Sequence, residues 1–143
     1  MTSVTLSQPS GQAAITKWAV KVLELNGVTH LAALDTSGSA ANSAVTILKT
    51  GLSGSVAASG EFVVGAVATS GATSALTLAQ GSSTPTSGWV ALTDFGTGTT
   101  TTDVMGRAAY FTSTTAGSQY QAAWSTSASK SGGGALVVFK AGP

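Results

Sequence analysis

His30 is the only histidine in the chain, so any serine–histidine–aspartate relay would have to run through it. Asp35 lies nearby, but serines are too abundant for that proximity to carry meaning, and no G-x-S-x-G elbow is present. His30 is therefore expected in a loop or partly buried, without a catalytic role. The carboxylates are Glu24, Asp35, Glu61, Asp94 and Asp103. A glycosidase needs two of them about 5–10 Å apart, and Glu24 and Glu61, each beside an apolar stretch, form the pair to consider. The competing expectation is that they flank strand ends or pair with Lys21 and Arg107. Asp94 and Asp103 bracket a Thr/Gly-rich stretch without any D-x-D pattern, so no metal ligand is assigned. Gly71, Gly81 and Gly88 lack the strand–glycine–helix setting and the Lys-Ser/Thr of a phosphate loop. No catalytic residue and no cofactor follow from these patterns.

Trp18, Trp89, Trp124, Tyr110 and Tyr120 are the residues able to stack on sugar rings. Large aromatics are few here, and a β-sheet core needs them inside. The pair best placed to meet a surface glycan is Trp89 with Tyr110.

Composition narrows the classes further. A length of 143 residues suits one domain with a proper core. Ala, Gly, Ser and Thr supply 84 of the residues and charged side chains only 8%, against about 25% in ordinary domains. At 43% hydrophobic and a net charge of +1, the chain does not have the make-up of a disordered polymer. Five lysines and Arg107 are scattered, so no basic stripe points to nucleic acid. With no cysteine, disulfides and thiolate metal sites are excluded. No apolar run approaches the ~18 residues of a membrane span. Residues 1–12 have neither a positive n-region nor an apolar h-region and so do not read as a secretory signal peptide. A surface solvated by hydroxyls rather than charges suits close packing against other copies.

The elements that must position these residues read as strands. Residues 17–26 alternate Trp18, Val20 and Val22 against Leu23 and Leu25, and Asn26-Gly27 predicts a turn. Asp35-Thr36-Ser37-Gly38 reads as a turn cluster. Residues 44–49 are β-branched and strand-like, and 51–60 form a polar connection. Residues 61–69 are apolar at both parities, which predicts a strand covered on both faces, or small residues facing a close neighbour. Residues 75–79 and 88–93 predict short strands, 81–88 a loop, and 96–103 an exposed hairpin tip. The last third gives three strands, 104–113, 119–126 and 135–140, the final two separated by Gly132–Gly134. In the second of these Tyr120, Ala122 and Trp124 share one face. Trp124 and Phe62 are expected between two sheets. The fold expected is all-β, a two-sheet antiparallel β-sandwich of about seven to nine strands.

Several of these segments carry a resemblance. Glu61-Phe-Val-Val-Gly65, Gly88-Trp89, Arg107-Ala-Ala-Tyr110, Ala116-Gly117, Tyr120-x-Ala-x-Trp124 and Gly134-Ala-Leu-Val-Val-Phe-Lys140 are the core and turn positions concerned. Together with Glu24-x-x-Gly27-Val28, they resemble the jelly-roll, concanavalin-like β-sandwich domains of tailed-bacteriophage structural proteins, over residues 17–141. The resemblance implies a jelly-roll-like domain over 17–143, preceded by an arm, 1–16, too short to supply the strands that family members carry there. It implies an unpaired strand edge, and close backbone approach at the glycine run, where family members commonly carry an aromatic. Val4, Leu6 and Ile15 would make the arm an assembly element. The function expected is a non-enzymatic virion protein, most simply a capsid decoration or coat-stabilising protein assembled in the host cytoplasm. Its partners would be its own copies and a capsid or other virion lattice, without nucleic acid or membrane. The alternative is a glycan-binding module for host attachment in a tail or fibre.

Overall fold

The computed structural model describes residues 23–25, 27–28, 32–71 and 75–142. The expected arm at 1–16 with Val4, Leu6 and Ile15, and also Trp18 and His30, lie outside them. Of the strand expected over 17–26, only residues 23–25 are described, and these carry no strand.

The described chain is all-β. Its strands are β1 (Leu34–Lys49), β2 (Phe62–Ser70), β3 (Thr77–Leu78), β4 (Val90–Ala91), β5 (Phe95–Gly96), β6 (Val104–Thr112) and β7 (Ala123–Phe139), with one 3-10 turn at Gln80–Ser82. All belong to one antiparallel hydrogen-bonded sheet in the order β1-β7-β2-β6-β4, with β3 added to β7 and β5 to β6. Residues 61–69, 104–113 and 75–79 therefore fold as strands close to where the sequence predicts them.

Two segments depart from the sequence reading. Asp35-Thr36-Ser37-Gly38 lies within β1 rather than in a turn. Its turn-forming side chains are overruled by pairing, because Thr36 to Asn42 run in continuous register against Val138 to Gly132. The second departure is Gly132–Gly134, which does not separate two strands but runs through the middle of β7. A Cβ on Gly132 would collide with the Ala68 carbonyl, and one on Gly134 with the Lys49 carbonyl. Close backbone approach is thus present, in an interior strand rather than at an edge.

That approach arises because the long β1–β7 ribbon folds back over the sheet. Its register shifts between Asn42 and Val45 and again between Val45 and Ile47, and such bulges bend a strand pair. The Asn42 side chain clasps the returning chain, accepting from Lys49 N–H at 2.9 Å and donating to Lys49 O at 3.0 Å. Beyond the bend the pairing continues, with Thr50 N–H on Ala122 O, Ser53 N–H on Tyr120 O and Val56 N–H on Ser118 O. Thr50 and Ala122 come to lie over Gly65 of β2.

The core fills the space enclosed by this fold-back. Trp124, Leu48, Leu136, Val63, Val67 and Val138 are fully buried, joined by Trp89, Phe111 and Tyr120. Phe111 stands between Trp89 and Tyr120 at centroid distances of 5.6 and 5.3 Å, within the range in which aromatic pairs add to burial. On β2 the buried positions are Val63, Gly65, Val67 and Thr69. Trp124 is where the sequence parity predicts it. Phe62 is on the opposite face, half-buried and stacked on Tyr110 at 5.2 Å.

Candidate functional site

Two places gather residues not consumed by the core: the outer face of the sheet, and an acidic pair at one end of its inner face.

The outer face is built by strand alternation, since directly paired residues point the same way. One row runs across five strands as Ser37, Val137, Val64, Tyr110 and Val90. The row on one side holds Leu34, Phe139, Phe62 and Thr112. On the other side Ser39, Ala135, Ala66 and Ala108 are followed by Ala41, Gly133, Ala68, Gly106 and Phe95. None of these positions is charged. Leu34 and Val90 are among the most exposed large apolar side chains described, and Ala68 is exposed as well. The Phe95 ring packs on Gly106, where any Cβ would strike it. The ring walls a shallow trough of about 380 Å³ floored by Ala66, Ala68, Gly133 and Ala135. The apolar run of β2 at both parities was the signal for this face. Of the two readings of this run, covered faces or small residues against a close neighbour, the second holds at Gly65, which lies under Thr50 and Ala122, while the outer face is covered only in part.

The acidic pair sits at the end of β2. Glu61 is 1% exposed and its Oε2 has no hydrogen-bond partner. Asp35 and the Ala58 backbone lie beside its carboxyl group. Asp35 reaches it from β1 at a register shift between Leu34 and Thr36, the kind of bulge that re-aims a side chain. Asp35 Oδ2 also accepts from Ala57 N–H at 2.9 Å. Burial, and then the neighbouring Asp35, push the Glu61 carboxyl above its ordinary value, while the Ala58 amide and Lys140 pull the other way. Ser113, beyond β6, closes the cluster. Its hydroxyl accepts from Glu61 N–H at 2.8 Å and donates to Ala58 O at 3.2 Å.

The remaining candidates separate in space. Glu24 is exposed, and the carboxylate beside Glu61 is Asp35. Arg107 pairs not with Glu61 but with Asp94, Nε to Oδ1 at 2.7 Å, beside a hollow of about 280 Å³. Asp103 is buried and turns inward on the 97–103 tip, accepting from the Thr97 hydroxyl at 3.0 Å and from Thr100 N–H at 2.8 Å. The two ends of the Thr/Gly tip thus use their carboxylates separately, and among the described residues no three His, Cys, Asp or Glu come together. Trp89 and Tyr110 do not form a shared platform. Val90 is paired with Tyr110 on the outer face, so its neighbour Trp89 points inward, 3% exposed, its indole N–H bound to Pro85 O at 3.2 Å. Among the described residues no helix is long and apolar enough to cross a membrane.

Comparison with known proteins leaves this geometry to speak for itself. No protein-family model, no curated protein and no solved structure matches the chain.

Proposed function

We propose that this chain is a non-enzymatic structural protein that works by assembly, and that it coats a tailed-phage virion as a capsid decoration or coat-stabilising protein. The observation that carries this reading is the uncharged outer face of the sheet, mostly apolar over its five strands. Contiguous apolar surface gains by being covered, and a partner docking here would have no charge to strip of water. The carboxylates speak against catalysis in a physical way: among the described residues the two buried acids, Glu61 and Asp103, are 1% and 5% exposed and so withheld from a substrate. The virion setting, the host-cytoplasmic assembly and the jelly-roll family rest on the resemblance over residues 17–141. The folded-back β1–β7 ribbon supports its sandwich form, with residues 47–56 and 118–125 as the second layer.

Sedimentation velocity should show mass rising with concentration, and the protein should pellet with phage particles. Deleting residues 1–14, which carry Val4 and Leu6, should leave circular dichroism and melting nearly unchanged while weakening both. A chain that stays monomeric at every concentration and never pellets with particles would remove the reading. Unfolding of the truncated chain would make the arm part of the core.

A second reading, a glycan-binding module in a tail or fibre, is favoured by one observation. Phe62 and Tyr110 are stacked and half-exposed on the outer face, where the Trp89 and Tyr110 pair is not available. A glycan array that retains the protein and loses it on Tyr110→Ala would favour this reading over assembly.

A further inference from the structure

The trough of the outer face is built to be filled. A Cβ placed on Gly133 would meet nothing within 4 Å, and Ala68 and Ala135 beside it are exposed. The floor carries the smallest side chains, and the Phe95 ring is the one aromatic in the lining. A flat side chain laid on this floor would bury apolar surface on both partners and meet the ring, a contact that adds to burial. No lining residue is charged, so a charged occupant would lose its hydration without a countercharge.

The chain carries a segment of matching chemistry. Residues 1–16 hold no charged side chain, and Trp18 follows them after Lys17. The other two tryptophans, Trp89 and Trp124, are already buried in the core. In an extended segment Lys17 and Lys21 would face away from Trp18, leaving an apolar side to dock. Where this segment joins the described chain is fixed. Gly142 N–H donates to Gly27 O at 2.7 Å, and Val28 bridges Ala141 in the antiparallel sense. The junction therefore lies beyond the Phe139 end of β7, whereas the trough lies at Gly133 and Ala135. Gly133 is nine residues from Gly142, about 30 Å along an extended chain, and Trp18 is nine residues from Gly27, the same length when fully drawn out. Its own trough is thus within reach of Trp18 only with no slack, while the packing of copies can bring a neighbour's trough to it.

We propose, building on the assembly reading, that the trough is the seat for residues 1–22 of a neighbouring copy. Trp18 is the anchor, lying on Ala68, Gly133 and Ala135 against the Phe95 ring. Each copy then offers one arm and one seat, and neither meets a charge in doing so.

The chain has no cysteine, so single cysteines report cleanly on who touches whom. Ala19→Cys marks the arm. Ser39→Cys marks the rim of the trough, since Ser39 is exposed and pairs with Ala135. The two variants are made as separate full-length proteins, mixed, and joined with a short bis-maleimide. Mixed dimers of the two are expected wherever sedimentation shows association. Adding Trp18→Ala to the arm variant should weaken association by about 30-fold or more, as loss of a central aromatic anchor does. In the unmodified protein, dilution through dissociation should shift tryptophan emission to the red, because Trp89 and Trp124 stay buried and Trp18 alone leaves its seat. Association without mixed dimers, or with Ser39→Cys joined to itself in their place, would overturn the seat and leave the assembly reading standing. A chain carrying both cysteines that joins only within itself would overturn the exchange between copies. Emission that does not move while sedimentation shows dissociation would overturn the role of Trp18, whether or not any variant folds. A protein that is monomeric at every concentration would remove the seat and the assembly reading together.

Discussion

At the scale of single residues, alternation along a strand decides what a side chain contributes. Trp124 is 1% exposed and shares a cross-strand pair with the fully buried Leu48. Trp124→Ala should cost about 3–5 kcal/mol in urea unfolding. Phe62, on the other face and half-exposed, has only the Tyr110 ring and strand neighbours to lose, and Phe62→Ala should cost about 1–2 kcal/mol. Equal losses at the two positions would mean that the outer face is covered in the isolated protein. The parity of Trp124 was readable because polar residues alternate with Tyr120, Ala122 and Trp124. That of Phe62 was not, because its whole segment is apolar and alternation carries no sign there.

The acidic pair makes a second prediction at this scale. The Glu61 carboxyl is raised above its ordinary value in the folded state, so the native protein binds more protons than the unfolded chain over the interval above that value. Stability from this group is therefore fully present at low pH and is lost as pH rises through the folded-state titration. Thermal melts from pH 4 to pH 8 (about the span in which a raised carboxyl titrates) should show the melting temperature of Glu61→Gln gaining on that of the unmodified chain as pH increases. A constant difference across the range would refute the shift. Neither partner was legible as such. Asp35 sits in a stretch composed like a turn, and only the pairing of β1 with β7 and the bulge beside it bring it to Glu61.

At the scale of elements, the glycine run of β7 shows how a break in composition differs from a break in structure. Its residues are small because other backbone passes on both flanks: Ala68 beside Gly132, and Lys49 above Gly134. Gly133 points into the open trough, with nothing within 4 Å of a Cβ placed there. Gly134→Ala should thus destabilise by about 3 kcal/mol or more, since backbone cannot step aside as a side chain can. Gly133→Ala should change stability by no more than about 0.5 kcal/mol. Chemical denaturation of the two variants distinguishes this arrangement from a flexible glycine linker, in which the two substitutions would behave alike. Composition suggested the close approach but placed it at an edge, because no local pattern reports that the strand before the glycines and the strand after them are one. The strands with clear boundary signals, β2 and β6, were found within one residue or so of where they lie.

At the scale of the whole molecule, the all-β class was legible from strand-sized segments and turn residues. The fold-back of the β1–β7 ribbon was not, because it depends on bulges and on contacts such as Asn42 with Lys49. The outer face was visible only as an excess of apolar residues until the register sorted them into rows. A charge placed in its trough is the direct probe of assembly. Ala68 is exposed, so Ala68→Glu should leave the melting temperature within a degree or two of the original, as surface substitutions away from special features do. Oligomer size and pelleting with particles should both fall. Unchanged assembly would mean that this face is not where copies or lattice meet.

The order of strands in the sheet also governs when the molecule can exist at all. Strands β1 and β2 do not pair with each other; each is paired with β7, the last of the described strands in the chain. On the ribosome, β2 can pair with β6 once residues 104–112 have emerged, but β1 is left without its neighbour until residues 123–139 are synthesised. For most of translation the nascent chain therefore exposes an open β1 edge and the apolar inner face of β2. Such long-range pairing is slow to form and prone to aggregation while it waits. A low charge content offers little electrostatic repulsion between neighbouring nascent chains. The same neutrality that suits the finished protein to packing against its own kind thus makes its synthesis the stage at which wrong pairing must be avoided.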